Sequence, residues 1–367
     1  MYEYYFMLKT TTQVRIHSID ALRGVTLLGI FLVHVAGMYG YGIQDYNTAL
    51  GNDFIRLLLA LLNNRCAPIF SMLFGVSFYL ILRNPEYTGG KFFWRCFLLM
   101  LIGILNKFFY TWDVLMWYAI LGMCLLLFRN TPPRMLLIIS MLLIALSSWL
   151  AYYNIGDMIF STNTEVGNRY VSGNTMSDVL SYPITWAIKD NLRLIFNGGI
   201  FTTFSYFILG YYLGRRGVVE NLNSYVTNKS VALFWSIYII FALLYKSTNL
   251  ILFEKLFYLT GAVSMAMLFI WIYNKKETWF RFLESYGKLG LTNYSMQNYV
   301  GITFVAMIVI PYKISFEYAI ILFLGIYACQ CLFSYVWLIY FKYGPFEWIW
   351  RCMTNLKYIK LSKSVSV

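Results

Sequence analysis

Residues 21–41 read ALRGVTLLGIFLVHVAGMYGY, and this run decides the fold. It is long enough to cross the hydrocarbon core of a bilayer, which needs ~20 mostly apolar residues. Ahead of it there is no ordered charged, apolar and cleavage region of a secretory signal, so the run is expected to stay in place as a first span. Within and beside it, Asp20, Arg23, Thr26, Ile30, His34 and Gly37 fall three or four residues apart and share one helix face. Ile30 is the apolar member of an otherwise small and polar stripe. Such a stripe on an apolar helix faces protein or a cavity and not lipid. Arg23 and His34 are eleven residues, or ~16 Å, apart on that face.

The same pattern recurs along the chain. The further expected spans are Phe54–Leu82, Phe92–Phe109, Val114–Phe128, Met135–Tyr153, Leu194–Leu213, Val231–Tyr245, Ile251–Tyr273, Leu291–Ile310 and Tyr318–Phe341. With the N-terminus placed inside, 20 of the 29 Lys and Arg residues fall in inside segments and 7 outside, with Arg56 and Arg65 in the second span. Positive charge accumulates on the cytoplasmic side, so the expectation is an all-α bundle of about ten spans with both ends cytoplasmic. It comprises a leader at 1–20, the bundle at 21–341 and a terminal segment at 342–367. The one long outside segment, 154–191, is rich in Asn, Thr, Ser and Gly and reads either as part of an acceptor site or as a solvated loop.

Composition agrees. Charged residues make up 12% of the chain, hydrophobic residues 60% and aromatic residues 20%, with mean hydropathy +0.61. A soluble domain carries about 25% charge. The net charge of +13 does not indicate nucleic acid, because the basic residues sit in short loops between apolar runs and form no single stripe. The six cysteines, Cys66, Cys96, Cys124, Cys329, Cys331 and Cys352, match no metal spacing and read as buried thiols. No nucleotide-binding glycine loop, zinc motif or serine elbow is present.

Several polar residues stand out. His34 is an ionisable group inside a span, which is costly and marks a functional candidate; an imidazole suits general base work near neutral pH. The alternative is a neutral histidine bonded between helices. Asp20 and Arg23 read as a site or as a local pair at a helix start, with Asp20 as its N-cap. Arg65, with Pro68, interrupts the second apolar run and suggests broken helix; Arg65 is a candidate for holding phosphate or carboxylate, or simply a snorkelling end. Asp113 reads as an N-cap or a lining carboxylate. Gly290, Asn293, Gln297 and Gly301 form a second small and polar stripe, fit for substrate binding or for gluing helices together. Glu347 and Arg351, four apart, are spaced as a helical ion pair, on a segment with Trp348 and Trp350 suited to a membrane surface. A weak echo relates Phe70-Ser71 and Gly75 to Phe204-Ser205 and Gly210.

These strings together resemble the YeiB-like family of bacterial membrane proteins. They are Ile19 to Gly24 with Leu28-Gly29-Ile30, Phe70 to Gly75, Asp113 with Tyr118-Ala119, Leu291 to Tyr294 with Gln297, and Tyr343 to Arg351. The Leu22-Arg23-Gly24 opening is similar to that of a wider superfamily of transmembrane acyltransferases, which includes bacterial O-acetylating enzymes and the lysosomal heparan glucosaminide acetyltransferase. The resemblance implies a bacterial plasma-membrane location and transfer of an acyl group from cytoplasmic acyl-CoA to an acceptor across the membrane. In the O-acetylating branch the proposed catalytic histidine lies eleven residues after the arginine, and His34 occupies that slot, where the YeiB-like family usually has asparagine. On this reading His34 is the base, Arg23 and Arg95 lie near the CoA phosphates, and Asn293 and Gln297 orient the acyl carbonyl or the acceptor. The partners are lipid, acyl-CoA and an extracytoplasmic hydroxyl or amine. Two rivals use the same residues: a transporter or flippase, and a non-catalytic scaffold.

Overall fold

A computed structural model describes residues 16–38, 62, 64–84, 87–109, 113–159, 191–304, 308, 312 and 314–363. The outside loop lies largely beyond these, as do the first fifteen residues and 54–61. The described residues are helical apart from turns and one isolated bridge, Phe341 to Ser362. The twelve principal helices are α1 (His17–Met38), α2 (Cys66–Leu82), α3 (Gly89–Phe109), α4 (Leu115–Leu125), α5 (Pro133–Tyr152), α6 (Gly199–Arg215), α7 (Asn228–Thr248), α8 (Ile251–Lys275), α9 (Arg281–Lys288), α10 (Gly290–Phe304), α11 (Phe316–Tyr340) and α12 (Pro345–Asn355).

Each of the ten expected spans corresponds to one helix, but they are not alike. Six helices, α1, α3, α5, α7, α8 and α11, are long and apolar enough to cross a membrane. The other four, α2, α4, α6 and α10, have 17, 11, 17 and 15 residues. Within the second expected span a turn falls where Arg65 and Pro68 suggested a break. Asn64 has φ 56°, and α2 starts only at Cys66. Local chemistry sets other boundaries. Pro133 and Pro345 open α5 and α12, where a missing N–H costs nothing. Thr227 and Ser230 form a capping box on α7, and Asn249 ends it in the left-handed conformation. Helix α1 begins at His17, four residues ahead of the first expected span.

Helix α1 is the centre of the bundle, while α7 has no buried residue and lies on the periphery against α8. Its outer positions Leu233, Ile239, Ile240 and Leu243 are exposed, as are Ile138 and Leu142 on α5 and Ile321 and Leu332 on α11. Apolar faces of this extent need lipid to cover them. Of the cysteines, Cys66, Cys96 and Cys331 are buried as expected, whereas Cys329 is exposed on α11.

The sequence echo has a packing meaning. Helices α2 and α6 lie against each other, and each supplies a glycine to the crossing. A Cβ on Gly75 would overlap the Phe207 carbonyl, and one on Gly210 would overlap the Met72 carbonyl. Gly24 on α1 and Gly287 on α9 form the same reciprocal contact against Leu283 and Asp20. Small residues let backbones approach where lipid offers no hydrophobic drive for association.

Candidate functional site

A cavity of about 360 Å³ opens between α1, α2, α3, α4, α9, α10 and α12. Phe70 and Ile81, eleven residues apart on α2, both line it, so it extends about 16 Å along the bundle. Its walls are apolar and aromatic over most of that depth, with Phe70, Phe74, Phe78, Phe92, Leu99 and Tyr118. Four cations line it, Arg23, Arg95, Lys288 and Arg351, with one carboxylate, Glu347.

That carboxylate is already engaged. Glu347 accepts hydrogen bonds from the backbone N–H of Leu291 (2.7 Å) and Thr292 (3.0 Å) and from the Thr292 hydroxyl. It therefore caps the N-terminus of α10 from 55 residues away, where the helix dipole favours an anion. Burial pushes its carboxyl above the ordinary glutamate range, and the Thr292 and Leu291 donors pull against that. Arg351 stacks over Tyr343 at 4.5 Å instead of pairing with Glu347, so the expected helical ion pair is replaced by these two contacts. Arg95 lies over the Trp350 ring at 3.7 Å, and the Trp350 indole donates to the Arg95 carbonyl. Helix α12 is thus fastened to α3 and α10, and lines the cavity with Glu347, Trp350 and Arg351. Arg23 is bonded to Asp20 at 2.9 Å, the local pair that the spacing suggested; Asp20 sits in the first turn of α1 and is not its cap.

A second polar group lies deeper in the bundle. The His34 imidazole lies beside the Asn298 side chain, and Asn298 donates to Asp113 Oδ2 at 2.8 Å. Asp113 also accepts from Leu115 N–H (2.9 Å), so it caps α4 and belongs to the cluster at once. Asn106 donates to Asp113 and to Ser295, both at 3.4 Å, and accepts from Tyr299 at 2.6 Å. His34, Asp113, Asn106, Ser295 and Asn298 are all buried. Two amides, a serine and a tyrosine thus hold the carboxylate in one hydrogen-bonded group beside the imidazole, as buried polar groups require.

The structure thus gathers Arg23, Arg95 and Glu347 at the cavity, with Asp20 behind Arg23, and His34 with Asp113 in the deeper chain. Three other candidates go elsewhere. Arg65 bonds the Tyr238 hydroxyl at 2.7 Å and lies over the Tyr238 and Phe257 rings, on the α7–α8 side. Asn293 donates to the Tyr286 carbonyl and to Ser334, both at 2.9 Å. Gln297 donates to the Tyr286 hydroxyl at 2.6 Å. The stripe they form joins α10 to α9 and α11. The α10 residues that reach Asp113 or its partner Asn106 are Ser295, Asn298 and Tyr299, on another face of the helix. Their own three- and four-residue spacing was the available signal. Asn106, a lone amide in an apolar run, gave little.

A family model described as "Protein of unknown function (DUF418)" matches residues 213–357. The matched part holds α7 to α12, hence Asn298 and Glu347, and stops short of His34. The chain is also similar along nearly its whole length to the uncharacterized protein YxaH of Bacillus subtilis (strain 168). That similarity is 25% identity over 411 aligned residues, covering 98% of each chain. An uncharacterized 39.9 kDa protein from the amylase 3' region of Bacillus acidopullulyticus is 26% identical over 362 residues, 95% of this chain and 96% of its own. No solved structure matches the chain.

Proposed function

We propose that this chain is a bacterial plasma-membrane acyltransferase of the YeiB-like kind, threaded about ten times with both ends in the cytoplasm. It would take an acyl group from cytoplasmic acyl-CoA to an extracytoplasmic hydroxyl or amine. One observation carries the reading. A cavity about 16 Å long, with mostly apolar walls, is lined by four cations and by Tyr294, whose ring stands against the His34 imidazole. Arginine and lysine suit the phosphates of CoA, the shaft suits the pantetheine arm and acyl group, and His34 suits removal of a proton from the acceptor. The similarity of residues 213–357 to a family of unknown function is compatible with the reading and says nothing on activity.

The test is a thermal-shift titration of the purified protein with CoA and short acyl-CoAs. A ligand at ~100 times its dissociation constant adds about 2.7 kcal/mol to the folded state. A saturable shift that weakens in Arg351→Ala and Lys288→Ala supports the reading. No shift with any CoA species on folded protein removes it and leaves the transporter.

A further inference from the structure

The cavity and the His34 chain meet at one residue. Tyr294, on α10, lines the cavity, and its ring stands edge-on to the His34 imidazole with centroids 6.1 Å apart. It lies against the Asp113 carboxylate and the backbone of Val114, yet its buried hydroxyl forms a hydrogen bond of good geometry with neither. Other buried tyrosines nearby are committed. Tyr118 shares a 2.6 Å bond with Ser71, Tyr286 donates to Gln330 at 3.0 Å, and Tyr327 donates to the Gly24 carbonyl at 2.9 Å. A buried tyrosine normally satisfies its hydroxyl. One that does not, on a residue whose ring borders a cavity, needs only a turn of the side chain to offer its donor to whatever enters.

We propose that Tyr294 divides the site in two: its ring seals the cavity from the His34–Asn298–Asp113 chain, and its hydroxyl donates to the carbonyl oxygen of an acyl thioester threaded into the shaft. The seal follows from packing alone; the identity of the carbonyl rests on the acyl-CoA reading. Tyr294 makes no covalent bond. It positions the acyl carbon beside the histidine chain and meets the charge that grows on the oxygen during attack, the place where a fixed donor is most effective. A phenylalanine would seal the shaft equally and offer no donor, so the two roles separate by mutation.

Ser77 lines the same cavity from α2, and Ser77→Cys provides a reporter that leaves Tyr294 and the histidine chain untouched. Sealed vesicles of either orientation are treated with a membrane-impermeant thiosulfonate, and the adduct at position 77 is read by peptide mass spectrometry, so the native cysteines stay in place. The expected result is modification from the cytoplasmic side only. Adding Tyr294→Phe preserves that, and adding Tyr294→Ala admits reagent from both sides. Modification of the reporter from the outer side with Tyr294 intact, or an outer barrier that survives Tyr294→Ala, overturns the seal. Acetyl-CoA on the cytoplasmic side is expected to protect the reporter. Tyr294→Phe should raise the half-protecting concentration about fivefold, the worth of one neutral hydrogen bond, and leave that of free CoA unchanged. Equal protection by acetyl-CoA in both proteins overturns the role of the hydroxyl. Absence of protection by either compound, with sidedness intact, removes the acyl-CoA reading and the hydroxyl's role with it, and leaves the seal standing.

Discussion

Replacing Glu347 tests how the terminal helix is held. Its carboxylate accepts two first-turn N–H groups of α10 and the Thr292 hydroxyl, in a half-buried setting. Bonds to a charged acceptor are worth about 1.5–3 kcal/mol each, and they do not add in full. Truncation leaves the donors buried without an acceptor, so Glu347→Ala should cost on the order of 4 kcal/mol, and Glu347→Gln, which keeps one acceptor oxygen, about half of that. An unfolding entropy of about 2.1 cal/mol/K per residue over 367 residues gives roughly 0.8 kcal/mol per degree. The melting temperature should then fall by about 5 °C in the alanine variant and by about half as much in the glutamine variant. Intrinsic fluorescence of the detergent-solubilised protein reads this directly, since Trp348 and Trp350 lie on the same helix. An alanine variant melting within about 1 °C of the parent would refute the claim that Glu347 ties α12 to α10.

Three further outcomes follow from the packing and the site. Gly210→Ala should abolish well-folded protein in size-exclusion profiles, because the added carbon meets the Met72 carbonyl of a packed helix, while Gly90→Ala, with nothing within 4 Å, should behave as the parent. Asp113→Ala removes the acceptor of Leu115 N–H, Asn298 and Asn106 and should lower stability in thermal melts by about 2–4 kcal/mol. Arg351→Ala should weaken acyl-CoA binding about tenfold in a direct binding titration, by about 1.4 kcal/mol, with an accompanying weaker dependence on salt.

The helical character of the described residues and the places of the six long apolar helices were legible because apolar runs broken by charge leave few alternatives in a bilayer. The chain break before α2 was legible in the same way, from Arg65 and Pro68. What the sequence could not supply was which face of a polar helix meets which neighbour. In α10 the Asn293 and Gln297 stripe was visible, but the stripe serves α9 and α11, and the face bearing Ser295 and Asn298 reaches Asp113. Likewise Glu347 and Arg351 have the spacing of a helical pair, and the carboxylate instead finds the stronger field at a helix N-terminus distant in sequence. Long-range partners of this kind depend on the tertiary fold, so single-helix periodicity shows the polar residues and leaves their pairing open.

The most direct measurement is acyl transfer itself. Inside-out vesicles from the source cells would be supplied with radiolabelled acetyl-CoA, and the label followed into lipid-linked and luminal material. The account predicts transfer that depends on the protein, is lost in His34→Ala, and is retained in Arg65→Ala, whose side chain lies away from the cavity. Transfer that continues undiminished in a folded His34→Ala protein, or no protein-dependent transfer at all, would contradict it.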